Sequence, residues 1–330
     1  MSETRDKILE MLKNADGSFV SSREICAALK TSRTAVWKHI HTLQEQGYQV
    51  EAITNKGYRI FMSEADMVTS HEIREAVGTG LFGKRVAYFE LLDSTNNMAK
   101  KLADAGAEEG TLIIANEQSA GRGRLNRAWI SPPKSGVLMS LIIRPPLSIA
   151  EAPRITSLAA VAVAQALMEL SGKLVQIKWP NDILFEGKKI SGILTEVSAE
   201  GNMVQYAIVG VGINTGYISR LIPESLQPTV VSLEEVTGKR MKRAQVVANV
   251  LSNMEKLYEG FIHHGEFAGI IDYIKTHSAT LGRYVKVDVG SRMITGFAED
   301  IADDGALVLR VAGDQIQKVY SGDVIATPMI

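Results

Sequence analysis

Residues 117–129 read EQSAGRGRLNRAW, and this stretch decides what kind of domain fills the middle of the chain. Two glycines, Gly121 and Gly123, interleave with Arg122 and Arg124, and Arg127 follows. Such a loop lets backbone amides approach an anion while guanidinium groups neutralise it, so phosphate or carboxylate binding is its natural chemistry. A dinucleotide-binding fingerprint is excluded by the same letters. Asn126 stands where the third glycine of GxGxxG belongs, and no helical pattern follows at once. GVGINTG at 210–216 fails the same test at Thr215. Taken singly, either glycine pattern also reads as a flexible turn.

Working outward, strand-like runs at 86–92, 111–115, 137–143, 175–179, 190–197 and 206–213 alternate with helical periodicity near 96–105, 151–171 and 243–262. The alternation predicts an α/β or α+β domain of catalytic size beginning near residue 84. Within it, KWPNDILFEGKKISGIL at 178–194 puts an aromatic, a rigid proline and two polar side chains at a strand end, then returns through Lys188 and Lys189. DSTN at 93–96 lies between a strand and a helix, where Ser94 or Thr95 also serves as a plain N-cap. Past Gly282, four short strands at 284–289, 293–298, 306–311 and 316–320, separated by glycine and aspartate turns, predict a small all-β barrel.

Residues 1–63 read as three short helices and a hairpin. Ile8, Leu9, Met11 and Leu12 have helical spacing, and Ser21 with Glu24 makes a capping box before Ile25, Ala28 and Leu29. Thr31 or Ser32 caps a third helix, whose Val36, Ile40 and Leu43 recur at i, i+4 and i+7 until Gly47 stops it. Runs at 50–54 and 58–61 flank Asn55, Lys56 and Gly57, which is hairpin chemistry. The sum is a winged helix-turn-helix, and KTSRTAVWKHIH at 30–41 makes its third helix cationic and free of acids. In a helix-turn-helix this element lies in the major groove. Ser32, Arg33 and Thr34 are therefore the candidates for base contacts, Lys38 for phosphate, and Lys56 and Arg59 on the wing for groove or backbone. A solvated basic face or a protein-docking module is the alternative. Trp37 reads as core or interface packing, His39 as a surface residue and Cys26 as a small buried one. Residues 64–82 read as a connector with its own helix, capped by Thr69 and Glu72.

Composition bounds the rest. The 330 residues exceed one small domain, and 45% hydrophobic with 22% charged residues is ordinary for folded chains. With 36 basic and 37 acidic residues, a uniformly basic nucleic-acid coat is excluded, though a local basic face is not. One cysteine allows no intrachain disulfide and no Cys-based zinc site, which fits a reducing cytoplasm. The apolar stretch 158–164 is far short of a membrane span, and Glu3, Arg5, Asp6 and Lys7 open no secretory signal.

The motifs taken together, DSTN at 93–96, QSAGRGR at 118–124, Trp129, KWPND at 178–182, KKISGIL at 188–194 and GVGIN at 210–214, resemble the biotin protein ligases. With the winged helix added, the chain is similar to their bifunctional bacterial class, the biotin ligase and biotin operon repressor. The resemblance covers nearly the whole chain. It implies an α+β multidomain architecture: a winged helix-turn-helix DNA-binding domain (1–63), a connector (64–82), a mixed-sheet ligase domain like the class II aminoacyl-tRNA synthetases (83–280), and a C-terminal SH3-like barrel (281–330). One departure is local. The family loop often continues from GRGR with a basic residue and glycine, where this chain has Leu125 and Asn126.

The resemblance further implies that biotin and ATP, with Mg²⁺, form biotinyl-5′-AMP, and that a lysine of a biotin carboxyl carrier protein then takes the biotinyl group. Arg122, Arg124 and Lys189 become the catalytic cations, needed because a carboxylate must meet an α-phosphate against Coulomb repulsion. Ser94, Thr95, Asn96 and Gln118, with Gly123 and the three cations, match the biotin positions. Arg124, Trp129, Asn181, Asp182 and Asn214 match the nucleotide side, with Asn181 or Asp182 near magnesium. Lys178 reads as catalytic or as a structural ion pair. Biotinyl-AMP as corepressor, a liganded homodimer and a palindromic operator complete the implied picture. Two rivals are a lipoate or octanoyl ligase, disfavoured by GRGR paired with KWPND, and a non-catalytic sensing repressor, disfavoured by Lys189 with both arginines.

Overall fold

In the computed structural model the described residues are 3–45, 47–61, 66, 68–77, 80–218, 221–290 and 292–326, so part of the 64–82 connector lies outside them. The chain divides into two compact units, Met1–Glu72 and Ile73–Ile330.

The first unit carries α1 (Glu3–Asn14), α2 (Ser22–Leu29), α3 (Arg33–Glu45) and the hairpin β1 (Val50–Ile53) and β2 (Gly57–Ile60). The capping box forms as read: Glu24 N–H donates to Ser21 Oγ at 3.1 Å, and Ser21 N–H to Glu24 Oε2 at 2.7 Å. Lys30 takes a left-handed φ of 49° and ends α2, and Ser32 Oγ caps α3 by accepting from Ala35 N–H at 3.2 Å. Val36, Ile40 and Leu43 then bury one face against Ile8, Leu12 and Ile25. Trp37 is not a core residue, which leaves the interface alternative of its expectation. One position past Val36 it turns off the apolar face, 56% exposed, with its ring against the edge of His41. His39 is half-buried where a surface residue was expected, and burial, helped by the charge of Arg5, lowers its pKa. The winged helix-turn-helix is present. A further helix, α4 (Ser70–Val77), starts at the expected Thr69 signal.

The second unit is built on a mixed sheet. In chain order it comprises β3 (Arg85–Leu92), α5 (Thr95–Asp104), β4 (Thr111–Gln118), β5 (Gly136–Ile143), α6 (Pro153–Ser171), β6 (Gln176–Lys178), β7 (Asp182–Phe185), β8 (Lys188–Glu200), β9 (Met203–Asn214), α7 (Leu233–Thr237), α8 (Arg243–His264) and α9 (Ala268–Thr276). Among the described residues the strand order is β3-β4-β5-β9-β8-β7-β6, with β3 and β4 parallel and every other pair antiparallel. Every residue of β5 is buried, so both faces of the sheet centre are covered, which explains its unbroken apolar run. Ala99 and Ala103 of α5 press small side chains onto Ile113, Ile142 and Ile208, bringing the N-terminus of α5 close over the strand ends.

The C-terminal strands number five where four were expected: β10 (Tyr284–Asp288), β11 (Met293–Ile301), β12 (Leu307–Arg310), β13 (Ile316–Val319) and β14 (Asp323–Ala326). β14 was missed because four residues after a turn carry no readable alternation, yet it pairs antiparallel with β10. A bulge at Ala298/Asp300 bends β11 and curls this sheet. Trp179 ties it to the mixed sheet, its Nε1–H donating to the Gly305 carbonyl at 3.0 Å and its backbone N–H to Thr280 Oγ1 at 3.0 Å. Among the described residues no helix is long and apolar enough to cross a membrane.

Candidate active site

The DSTN segment sits where β3 hands over to α5. Ser94 holds the N-cap position, yet its side chain makes no capping bond, so the plain N-cap reading does not explain its burial at 3% exposure. Thr95 and Asn96 are equally buried and tied inward. The Thr95 backbone N–H donates to Gln118 Oε1 at 2.7 Å, and Asn96 Nδ2 donates to Glu196 Oε2 at 2.6 Å. Gly210 is required beneath Asn96, because a Cβ there would lie 2.2 Å from Asn96 Oδ1. These residues form a polar shelf on the middle of the sheet.

Residues 121–129 fold back on themselves: Gly123 N–H donates to the Arg127 carbonyl at 2.7 Å, and Trp129 N–H to the Gly121 carbonyl at 2.9 Å. Trp129 then lies flat on β8 and β9. Cβ atoms added at Gly192 and Gly212 would come within 3.0 and 2.6 Å of its ring. Gly212→Ala is therefore expected to cost about 1–3 kcal/mol by overpacking, measured as a lower urea midpoint, and to displace the indole. Leu125, in the place of the family's basic residue, is exposed and held at φ 50°, a conformation that suits glycine better.

A cavity of about 170 Å³ brings the predicted residues together. Ser94, Thr95, Asn96 and Gln118 line one wall, Arg122, Gly123, Arg124 and Trp129 another, and Asn181, Asp182 and Lys189 a third. Lys189 Nζ lies 2.6 Å from Asp182 Oδ1 and 5.4 Å from the centre of the Trp129 ring. Arg122, near the mouth, donates to Asn97 Oδ1 and lies 3.7 Å from Glu196. Arg124 is held along one edge, to Ser321 Oγ at 2.8 Å and at 3.6 Å from Asp323, while Arg127 pairs with the same Asp323 at 2.7 Å. Burial lowers the pKa of Arg124, and the carboxylates of Asp323 and Asp182 act against that fall.

The electrostatics mark this cavity as unfinished. Arg124 Nε, Trp129 Nε1 and Asp182 Oδ1 are all buried without a hydrogen-bond partner among the described residues. The Asp182–Lys189 approach is an ion pair whose angle falls outside hydrogen-bond geometry. Buried orphans of this kind are rare, and three on one cavity point to a polar ligand that satisfies them.

Other expectations fare differently. Asn214 does not line the cavity. Its Nδ2 donates to the Val231 carbonyl at 3.2 Å and reaches the Lys189 carbonyl at 3.5 Å, so it braces the backbone that carries the lysine. Asn181 faces the cavity and spends one amide N–H on the Ile193 carbonyl at 2.8 Å, leaving its oxygen and the second N–H for a ligand. Lys178 lines the cavity without an ion pair among the described residues. On the winged unit, Arg33, Thr34, Lys38 and Lys56 are exposed; Ser32 is turned into its capping bond, and Arg59 pairs with Glu51 and stacks on Phe19 and Phe61. Sequence reasoning missed Ser140, Glu196 and Asp323. For Ser140 a signal existed, a lone hydroxyl inside GVLMSLII.

Comparison with known proteins agrees with this arrangement. Residues 88–214 match the Biotin/lipoate A/B protein ligase family, residues 4–59 an HTH domain, and residues 280–326 the Biotin protein ligase C terminal domain. The bifunctional ligase/repressor BirA of Bacillus subtilis is 40% identical over 323 residues, 98% of each chain. That of Escherichia coli is 29% identical over 326 residues, 97% of this chain and 96% of its own. The structure of the Aquifex aeolicus biotin protein ligase in complex with biotin and ATP superposes with a TM-score of 0.64 at 29% identity, covering 74% of this chain and 100% of that one. A winged helix, a mixed-sheet domain with a cation-lined cavity and a C-terminal β-sheet, in this order along a chain 40% identical to a bifunctional ligase/repressor, identify the chain as a member of the biotin protein ligase family, in its bifunctional ligase/repressor class.

Proposed function

We propose that the cavity joins biotin to ATP as biotinyl-5′-AMP and passes the biotinyl group to a lysine of a biotin carboxyl carrier protein, and that the same adenylate governs DNA binding by the winged unit. The observation that carries this reading is the shared cavity: Arg124 and Lys189 face a polar shelf across a space lined by three unsatisfied buried polar atoms. In this reading residues 1–63 are the DNA-binding domain, 64–82 the connector, 83–280 the ligase domain and 281–330 the C-terminal domain.

Ser94, Thr95, Asn96 and Gln118 take the ureido head group, and Gly123 gives the backbone approach. Arg122, Arg124 and Lys189 hold the biotin carboxylate against the α-phosphate, two anions that otherwise repel. The Trp129 indole orders the nucleotide side. Asp182, whose Oδ1 lacks a hydrogen-bond donor, and Asn181 through its amide oxygen are the residues that would touch the Mg²⁺ carried by ATP. Hard oxygen ligands suit that ion, which neutralises phosphate charge when bound. Asn214 acts indirectly, by holding the Lys189 backbone. Biotinyl-AMP is a mixed anhydride, so transfer needs only a placed acceptor amine and no protein nucleophile. Incubation with biotin, labelled ATP and a carrier domain should yield adenylate and then biotinyl-lysine; no adenylate with biotin, or faster adenylation of lipoate, would refute the reading.

For the winged unit, Arg33, Thr34, Lys38 and Lys56 are the exposed contacts toward DNA, with Ser32 and Arg59 in supporting places. Lys38→Ala is expected to weaken binding across all sequences and to lower the slope of log K against log salt by about 1. A liganded homodimer would present two recognition helices to a palindromic operator. Gel shifts with and without biotin plus ATP should then differ by about tenfold, a coupling near 1.4 kcal/mol; equal shifts would end that idea.

A further inference from the structure

Ser140, in the middle of β5, has no exposed surface, and its Oγ lies 2.6 Å from Asn96 Oδ1 and 2.8 Å from Thr95 Oγ1. A serine hydroxyl has one proton and an amide oxygen can only accept, so that proton goes to Asn96. The Asn96 amide is fixed from its other end, where Nδ2 donates to Glu196 Oε2 at 2.6 Å and to the Leu194 carbonyl at 3.3 Å. With the Ser140 proton committed, the contact with Thr95 must use the Thr95 proton. That proton has a second suitor in Gln118 Oε1, 3.0 Å away, but Gln118 Oε1 already accepts the Thr95 backbone N–H at 2.7 Å. Ser140 Oγ has no other donor among the described residues, and leaving a fully buried acceptor unmet is the costlier arrangement. The Thr95 proton therefore goes inward, and the Thr95 oxygen, on the cavity wall, is left with lone pairs only.

We propose that Ser140 and Glu196 are positioning residues that fix the hydrogen-bond polarity of the pocket wall. Through Asn96 they hold Thr95 as an acceptor, so the site favours a cyclic urea, whose N–H it can accept, over a dithiolane or an alkyl end, which has no N–H to offer. This rests on the ligase reading above.

The test uses the full chain and calorimetric titration with biotin and with biotin methylated on either ureido nitrogen. Wild type is expected to bind biotin at least about tenfold more tightly than one of the methylated analogues. Ser140→Ala is expected to weaken biotin about tenfold and that analogue by less than about threefold, so the preference collapses. Glu196→Gln keeps an acceptor for the Asn96 amide while removing the charge beside Arg122, so it should keep the wild-type preference for biotin over the analogue, whereas Glu196→Ala should lose that preference as Ser140→Ala does. The Glu196 side chain is 43% exposed, so its variants carry the test even if Ser140→Ala does not fold. In adenylation assays KM for biotin should rise with kcat unchanged, a split that general loosening would not give. Ser140→Ala and Glu196→Ala variants that fold and keep the wild-type preference overturn the proposal alone. A wild-type chain that binds no biotin overturns the ligase reading and the proposal with it.

Discussion

Lys189→Ala is expected to reduce biotinyl-AMP formation about a hundredfold to a thousandfold, the usual loss when a charge placed for a transition state is removed. Two features make the effect large. The ammonium is the cation that faces Asp182 and the Trp129 ring together, so its loss leaves the Asp182 carboxylate uncompensated beside two incoming anions. Its position is also rigid, because the Lys189 carbonyl accepts from Val231 N–H at 3.0 Å and its strand neighbour is held by β7. Since the side chain is 31% exposed, the variant should still fold, with a lower unfolding midpoint from the uncompensated Asp182. Single-turnover adenylation with labelled ATP checks this, and a folded variant with the wild-type rate would remove Lys189 from the site.

Asp323→Ala is expected to lower kcat/KM for ATP by roughly tenfold to a hundredfold, the range for losing hydrogen bonds to a charged group. Asp323 meets Arg124 and Arg127 at once, and it is 14% exposed, so its charge is poorly screened by water. It fastens one edge of the Arg124 guanidinium, together with Ser321, and the orphaned Nε shows that the remaining contacts of this group are not all made within the protein. Without Asp323 Arg127 loses its ion pair and Arg124 keeps only its edge on Ser321 and the Gly322 carbonyl, so more of the loop's ordering must be supplied by the ligand. Asp323→Glu should recover part of the rate; Asp323→Ala with the wild-type kcat/KM would show the contact to be idle.

Local signals carried most of the fold. The i, i+4, i+7 run of Val36, Ile40 and Leu43 became one buried face, and the apolar letters of β5 became its central strand. Short elements were lost: β7 is four residues that start at the last letter of the KWPND motif, and α7 is five residues long, too few for a period to repeat. In the site, the polar and cationic letters converge on one cavity because each lies at a strand end or in the loop between strands. What no spacing could disclose is contact between distant segments. Arg124 meets Ser321 across 197 positions, and Asn96 meets Glu196 across 100. Asn214 shows the opposite limit, where a familiar residue type was read as a ligand contact and its neighbours are the Val231 and Lys189 carbonyls.

The anchoring of the arginine loop by β14 has a consequence for synthesis. Apart from its neighbour Val324, every other residue lining the cavity precedes Asp323 in the chain, so a ribosome finishes the winged reader and the sheet long before the piece that locks the loop. A nascent or prematurely terminated product ending ahead of residue 323 would thus carry the whole winged helix-turn-helix with its arginine loop unfastened, and on the proposed reading such fragments should compete for DNA while contributing little adenylate.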